Sequence, residues 1–105
     1  MNSLAIACSL TSAELQQRRS SVLEKFCSCV VEVKELQDGY AYSLSLDSIS
    51  LPELAAMIEL ERQCCPFLRF GLTLEPAGGP VWLELTGPPG TREFLGELIA
   101  PIPSA

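Results

Sequence analysis

The most reactive stretch of this chain is a pair of adjacent cysteines, Cys64 and Cys65, followed at once by Pro66. The 105 residues contain five cysteines and no histidine. Because histidine is absent, the sequence excludes Cys–His and Ser–His catalytic pairs and zinc sites that use imidazole. Chemistry in this chain must therefore come from thiols and carboxylates.

Two uses of the adjacent pair are open: ligands for a soft ion, and packing at a helix end. Thiolates favour Cu(I), Zn(II) and heavier thiophilic ions such as Hg(II) and As(III). A third thiolate is available from Cys8, although the spacing is not that of a structural zinc site with two separated C-x₂₋₄-C pairs. Redox catalysis is disfavoured, because a regular helix strains a disulfide between neighbours and the negative helix end raises a thiol pKa.

Cys27 and Cys29 form a second candidate pair. They are two residues apart and would share one face if that stretch is extended, but packing is the favoured interpretation. Around Cys64 and Cys65, helical spacing places Cys65 on the core face with the apolar residues Leu51, Leu54, Ala55 and Ile58. The same spacing places Cys64 on a second patch with Met57 and Leu60, and Glu61 lies beside it. This patch is suited to covering the N-terminal segment or to a subunit contact.

The elements that position these thiols follow from capping signals and from changes in hydrophobic period. A short apolar strand is predicted at 4–8, and a capping box at Thr11–Glu14 predicts a helix to about Phe26. From Cys29 the period becomes two, which places Cys29, Val31 and Val33 on one face of a strand. Asp38–Gly39 predicts a hairpin turn whose central residues both have φ > 0.

The second helix is predicted to begin after Ser50 as N-cap, with Pro52 in its first turn, and to run to about Cys65. Two strands and a last helix follow. Residues 29–65 and 67–99 thus repeat one ββα order, preceded by a strand and a helix. We expect one α+β domain over residues 1–100, with an antiparallel-rich sheet, helices on one face, and a tail at 101–105.

The charge pattern restricts the partners. The formal net charge is −6 and the seven basic residues are scattered, which argues against nucleic acid or an anionic membrane surface. Arg18–Arg19 and the pair Glu59 and Glu61 are expected to be solvated.

No apolar run is long enough to cross a bilayer, so a cytoplasmic location with reduced thiols is expected. An odd number of cysteines also argues against a closed disulfide framework.

Five segments carry a resemblance: IACSL at 6–10, VVEVKELQDGYAYSL at 30–44, LERQCCPFLRFGLTLEP at 60–76, GGPVWLELTGP at 78–88 and REFL at 92–95. Together they resemble a family of small, uncharacterised bacterial proteins. The CCPF segment is also similar to the C-terminal part of some MerR-type, metal-responsive regulators. The family motifs fall on Cys8, Cys64 and Cys65, so the resemblance implies heavy-metal binding by these three residues. It does not imply transcription-factor activity, because no helix-turn-helix or basic DNA-reading segment is present.

The sequence therefore leads to a first hypothesis of a cytoplasmic domain that binds a soft metal or metalloid ion (Hg, As, Cu(I) or Zn) as a sensor, buffer or carrier. Its ligands would be Cys8, Cys64 and Cys65. The alternative is a protein-interaction or homodimerisation module with structural cysteines and no ion. A thiol-dependent enzyme is a third hypothesis, which lacks an evident general base.

Overall fold

The computed structural model describes residues 12–98, so the strand predicted at 4–8 and the predicted ligand Cys8 lie outside the described residues. Three helices and four strands make up the described chain. In chain order they are α1 (Ala13–Cys29), β1 (Val30–Leu36), β2 (Gly39–Leu44), α2 (Leu51–Cys64), β3 (Arg69–Leu74), β4 (Val81–Thr86) and α3 (Thr91–Leu98). The predicted order of one helix followed by two ββα units is confirmed.

The four strands form one antiparallel sheet in the order β1-β2-β4-β3. Each ββα unit contributes one hairpin, and the two hairpins join through β2 and β4 at the centre. Across that central pairing, Tyr42 lies opposite Leu83 and Leu44 lies opposite Val81. Strands β1 and β3 are therefore the edges of the described sheet, and Leu72 and Leu74 on β3 are partly exposed.

The main core lies on one face of this sheet. Directly opposed residues of an antiparallel pair share a face, so the opposed residues of β2 and β4 present a continuous apolar surface. All three helices cover that surface, and the fold-class prediction of helices on one face is confirmed. The buried members of this core are Phe26, Cys29, Tyr42, Leu44, Ile49, Leu54, Met57, Val81, Leu83, Leu85 and Leu95.

The first helix is longer than predicted. Its N-cap is Ser12, whose hydroxyl accepts a hydrogen bond from the Leu15 amide at 3.4 Å, so the capping signal lies one residue later than the predicted box. The helix continues through Cys29, where a strand was predicted to begin. The predicted face of Cys29, Val31 and Val33 is wrong, because the register shifts at the start of β1 and Val31 is 70% exposed.

The β1–β2 turn contains Gln37 and Asp38, and Gly39 already belongs to β2. The predicted turn at Asp38–Gly39 with positive φ is wrong, since positive φ in the described chain occurs only at Ala77, Gly78 and Gly90. Gly39 is needed for a different reason. A Cβ at this position would lie 1.8 Å from the carbonyl oxygen of Leu85 on β4, so only glycine permits this close approach of two strands.

The start of α2 confirms the sequence prediction. The Ser50 hydroxyl accepts a hydrogen bond from the Glu53 amide at 3.2 Å, and the Glu53 carboxylate accepts one from the Ser50 amide at 3.2 Å. Pro52 lies in the first turn, where its missing N–H breaks no helical hydrogen bond. Within residues 12–98, no helix combines the length and the apolar character needed to cross a membrane.

Candidate thiol site at the end of α2

The two adjacent cysteines lie where α2 ends. Cys64 is the last helical residue, and Cys65 is the C-cap with φ −123° and ψ 73°. The amide of Cys65 still donates to the carbonyl of Glu61 at 2.7 Å. Pro66 disfavours helical backbone in the residue before it, which accounts for the departure at Cys65. The side chain of Cys65 therefore does not follow the helical spacing that the sequence analysis assumed.

Both cysteine side chains are completely buried. The buried face of α2 consists of Leu54, Met57, Glu61 and Cys64. The predicted division, with Cys65 in the core and Cys64 on a separate patch beside Met57, is therefore wrong: Met57 belongs to the main core.

Cys64 and Cys65 form a small second cluster with Phe67. Partly buried Leu68 and Phe94 pack against it, and the rings of Phe67 and Phe94 meet edge to face with centroids 5.3 Å apart. The two sulfurs thus lie in one apolar cluster that is separate from the main core.

A buried ion pair borders this cluster. Arg19 Nε donates to Glu61 Oε1 at 2.7 Å and Arg19 Nη2 donates to Glu61 Oε2 at 3.1 Å, which is a bidentate arrangement. The two side chains are only 10% and 3% exposed. The prediction that Arg19 and Glu61 are solvated is therefore wrong. Helix α1 supplies the arginine and α2 supplies the glutamate, so the pair ties the two helices together beside the cysteines.

The thiol of Cys65 contacts both members of this pair. Its Sγ lies 3.7 Å from Arg19 Nη2 and 3.9 Å from Glu61 Oε2. Burial and then the negative charge of Glu61 raise the pKa of the Cys65 thiol to about 11, while the nearby arginine opposes this rise. Cys65 is therefore protonated at neutral pH, which does not fit an activated redox nucleophile.

The oxidation states of the cysteines differ. Cys64 takes part in a disulfide, whereas Cys27, Cys29 and Cys65 are free thiols. An odd number of cysteines excludes a structure in which every cysteine is in a disulfide, but it does not exclude one disulfide bond. The expectation that all the thiols are reduced therefore does not describe this structure. Cys64 can supply a thiolate only after its disulfide is reduced.

The second candidate pair does not form a site. Cys27 and Cys29 lie in the last turn of α1 rather than on a strand, and residues two apart on a helix point in different directions. Cys29 is buried in the main core, where its sulfur donates to the carbonyl of Ser48 at 3.6 Å. The packing interpretation therefore accounts for Cys29.

A surface depression lies beside the site. Its volume is about 420 Å³, and its lining comprises Glu59, Arg62, Gln63, Cys65, Pro66 and Leu68. Although the Cys65 side chain is buried, this residue forms part of the wall. A small molecule that enters the depression therefore comes close to Cys65, although the thiol itself is covered.

The described residues supply two sulfurs but no complete metal centre. Among residues 12–98, no group of three or more cysteine, aspartate or glutamate side chains is arranged to hold a metal ion. A three-ligand site would need a donor from elsewhere in the chain, and the predicted third ligand, Cys8, lies outside the described residues.

Sequence reasoning missed Arg19 as a neighbour of the cysteines. It placed Glu61 beside the patch that contains Cys64 but predicted that this carboxylate is solvated. Glu61 carried a usable signal, because it precedes Cys64 by three positions and Cys65 by four, which places it on the same helical face. Arg19 carried no such signal. It is 42 positions away from Glu61, and only the packing of α1 on α2 brings it there.

Comparisons of the chain with protein-family models, with curated proteins and with solved structures find no match.

Proposed function

We propose that this protein binds a soft metal or metalloid ion through clustered thiolates, with Cys64, Cys65 and Cys8 as ligands. It would serve as a cytoplasmic sensor, buffer or carrier. The observation that carries the proposal is the position of Cys65, which is not disulfide-bonded and lies next to Cys64 at a surface depression whose lining includes this residue. The resemblance of the CCPF segment to metal-responsive regulators supports the same assignment.

The donor set suits ions that bind sulfur in low coordination numbers. Two or three sulfurs and no imidazole favour thiophilic ions over hard cations, which prefer oxygen ligands. The surroundings of the sulfurs are apolar, and the nearby Arg19 and Glu61 already neutralise each other. A thiolate complex with little net charge is therefore the species that this interior accommodates at least desolvation cost.

Reduction must precede binding, because Cys64 is in a disulfide. A dithiol reductant converts that disulfide into two thiols and is itself oxidised to a disulfide. A divalent ion bound by two thiols then displaces their two protons to solvent. Arsenous acid bound by three thiols releases three water molecules. Reduction therefore switches the site on, and oxidation switches it off.

The test is a titration of the fully reduced protein with Hg(II), As(III), Cu(I) and Zn(II), compared with the oxidised protein. Stoichiometry from native mass spectrometry and affinity from competition with a chromophoric chelator or a small dithiol give the readout. We expect one ion per chain for the reduced protein and none for the oxidised protein. Cys64→Ser and Cys65→Ser should each abolish tight binding, and Cys8→Ser should weaken it.

Cys27→Ser is the matched control, since it removes a free thiol that belongs to α1 rather than to the cysteine cluster. Its ion affinity should equal that of the unchanged protein. The proposal fails if the reduced protein binds none of the four ions tightly, or if binding survives both Cys64→Ser and Cys65→Ser. Circular dichroism of each variant separates loss of ligands from loss of fold.

A second candidate function, a protein-interaction module without an ion, is favoured by a different observation. A groove between α1 and α2 includes Leu60, one of the residues that the sequence analysis assigned to a contact patch. Met57 also lines it, although mostly from within the core, and Cys64 does not. This groove is a separate feature and does not depend on the thiol site.

A further inference from the structure

A groove of about 560 Å³ lies between α1 and α2. Its apolar lining includes Leu15 and Val22 on α1, Ala56, Met57 and Leu60 on α2, and Ile49 just before α2. The helices run antiparallel, because Arg19 pairs with Glu61 whereas Lys25, further along α1, pairs with Glu53, further back along α2. The groove therefore has α1 as one wall and α2 as the other along its whole length.

Charge is segregated between the two walls. The ionisable residues that α1 contributes to the groove are Arg18 and Lys25, and those that α2 contributes are Glu53 and Glu59. Lys25 and Glu53 form an ion pair across one end, where each side chain is about half exposed. The positive wall and the negative wall thus lie side by side on one surface, which is complementary to itself when one wall is placed over the other.

We propose that this groove is the contact surface of a homodimer, in which α1 of each copy lies over α2 of the other. A two-fold axis parallel to the helices produces this arrangement. Within one copy, the antiparallel helices place residue 18 of α1 at the same height along the helix axis as residues near 60 of α2. An axis parallel to the helices keeps this height, so Arg18 faces the partner subunit's Glu59. By the same relation, Lys25 faces the partner subunit's Glu53.

The alternative two-fold axis, perpendicular to the helices, is excluded by the same charges. It would place α1 on α1 in reverse, so that Arg18 faces the partner subunit's Lys25, and it would likewise place the glutamates of the two α2 helices together. Like charges brought together at an interface are strongly unfavourable. The charge pattern therefore selects one geometry as well as one partner, a second copy of this chain.

The size of the surface indicates a moderate affinity. Helix α1 has 17 residues and is about 25 Å long, and two adjacent helices are about 20 Å wide, so the footprint is about 500 Å² per copy. Stable complexes bury about 800 Å² per partner. We therefore expect a dimer that dissociates on dilution rather than an obligate one.

The test uses the full chain under reducing conditions, so that no intermolecular disulfide contributes. Sedimentation velocity over a range of concentrations should show a monomer–dimer equilibrium. Leu60→Glu places a charge in the apolar lining and should leave a folded monomer. Arg18→Glu and Glu59→Arg should each weaken self-association at least about tenfold, because each places like charges opposite one another in both symmetry-related contacts.

Mixing the two charge variants gives the decisive result. In a heterodimer of Arg18→Glu with Glu59→Arg, both contacts again pair a glutamate with an arginine. The mixture should therefore associate about as strongly as the unchanged protein, although neither variant does so alone. Arg69→Glu, on the exposed edge strand β3, is the control and should not alter association.

A chain that stays monomeric at all concentrations overturns the proposal. So does a mixture that fails to associate while both variants remain folded by circular dichroism. Cys64→Ser and Cys65→Ser should dimerise normally, which distinguishes failure of this surface from failure of the thiol site.

Discussion

Removing one member of the buried Arg19–Glu61 pair is expected to destabilise the fold strongly. Both side chains are almost completely buried and joined by two hydrogen bonds, so Arg19→Met leaves the Glu61 carboxylate without its counter-charge in the interior. Breaking a buried pair in this way costs about 3–5 kcal/mol. Glu61→Leu instead leaves the guanidinium of Arg19 buried without its counter-charge and should lower the stability by a similar amount.

This cost is a large fraction of the total stability, which is about 5–15 kcal/mol for a domain. For a chain of this size, each kcal/mol lowers Tm by about 4–8 °C, so each single variant should melt at least about 12 °C lower. The double variant Arg19→Met/Glu61→Leu buries no charge and should lie within about 1–2 kcal/mol of the unchanged protein, since apolar replacement of a buried pair is often neutral.

Urea denaturation of the four proteins, followed by circular dichroism, completes a double-mutant cycle. The matched control is Arg62→Ala, which breaks the pair between Arg62 and Glu59 on the exposed surface of the same helix, where the two side chains are 64% and 66% exposed. That change should cost less than about 1 kcal/mol. A single change at Arg19 or Glu61 that costs no more than the control refutes the reasoning. So does a double variant whose loss equals the sum of the two single losses.

Three further predictions concern single positions. Gly39→Ala forces a Cβ to 1.8 Å from a backbone oxygen on the neighbouring strand and should cost at least about 2 kcal/mol in urea denaturation, whereas Gly71→Ala, whose Cβ would meet only a flexible side chain at 3.4 Å, should cost less than half as much. Ser50→Ala removes the capping box of α2 and should cost about 1 kcal/mol, while the exposed Ser48→Ala should change stability by less than about 0.5 kcal/mol; equal losses would contradict the cap. Alkylation of Cys65 by iodoacetamide, followed by mass spectrometry, should be slow at pH 8 and accelerate towards pH 11, because burial raises the pKa of this thiol from 9.0 to about 11. Since the folded pKa is the higher one, the stability linked to this proton is fully present below pH 9 and is lost as the pH rises through 11, and Cys65→Ala should remove that part of the loss.

The sequence predicts well those features that depend on local signals. The N-cap at Ser50 and the ββα order arise from hydrogen bonds and alternation within a few residues, and both are confirmed. The hairpin after β1 was located to within one residue. Its glycine was assigned the wrong role, because the close approach of Gly39 to β4 depends on a strand that comes about forty positions later in the chain.

The site was predicted less well, because its geometry depends on one backbone departure and one tertiary contact. The assumption that Cys65 continues the helical spacing assigned its side chain to the wrong face, because the backbone leaves the helix at this residue. The burial of Arg19 was not predictable from its neighbours, because Arg18, the adjacent residue of the same type, is exposed. Only the packing of α1 against α2 distinguishes the two arginines.

The order of the strands also has a kinetic consequence. Each outer strand pairs with its immediate sequence neighbour, so the two hairpins can form locally and fast. The central β2–β4 pairing joins segments about forty residues apart, and closing a loop of that length costs about 3 kcal/mol of chain entropy before any contact forms. We therefore expect this closure to limit the folding rate. Changes on the central strands should slow refolding, whereas changes on the edge strands should mainly speed unfolding.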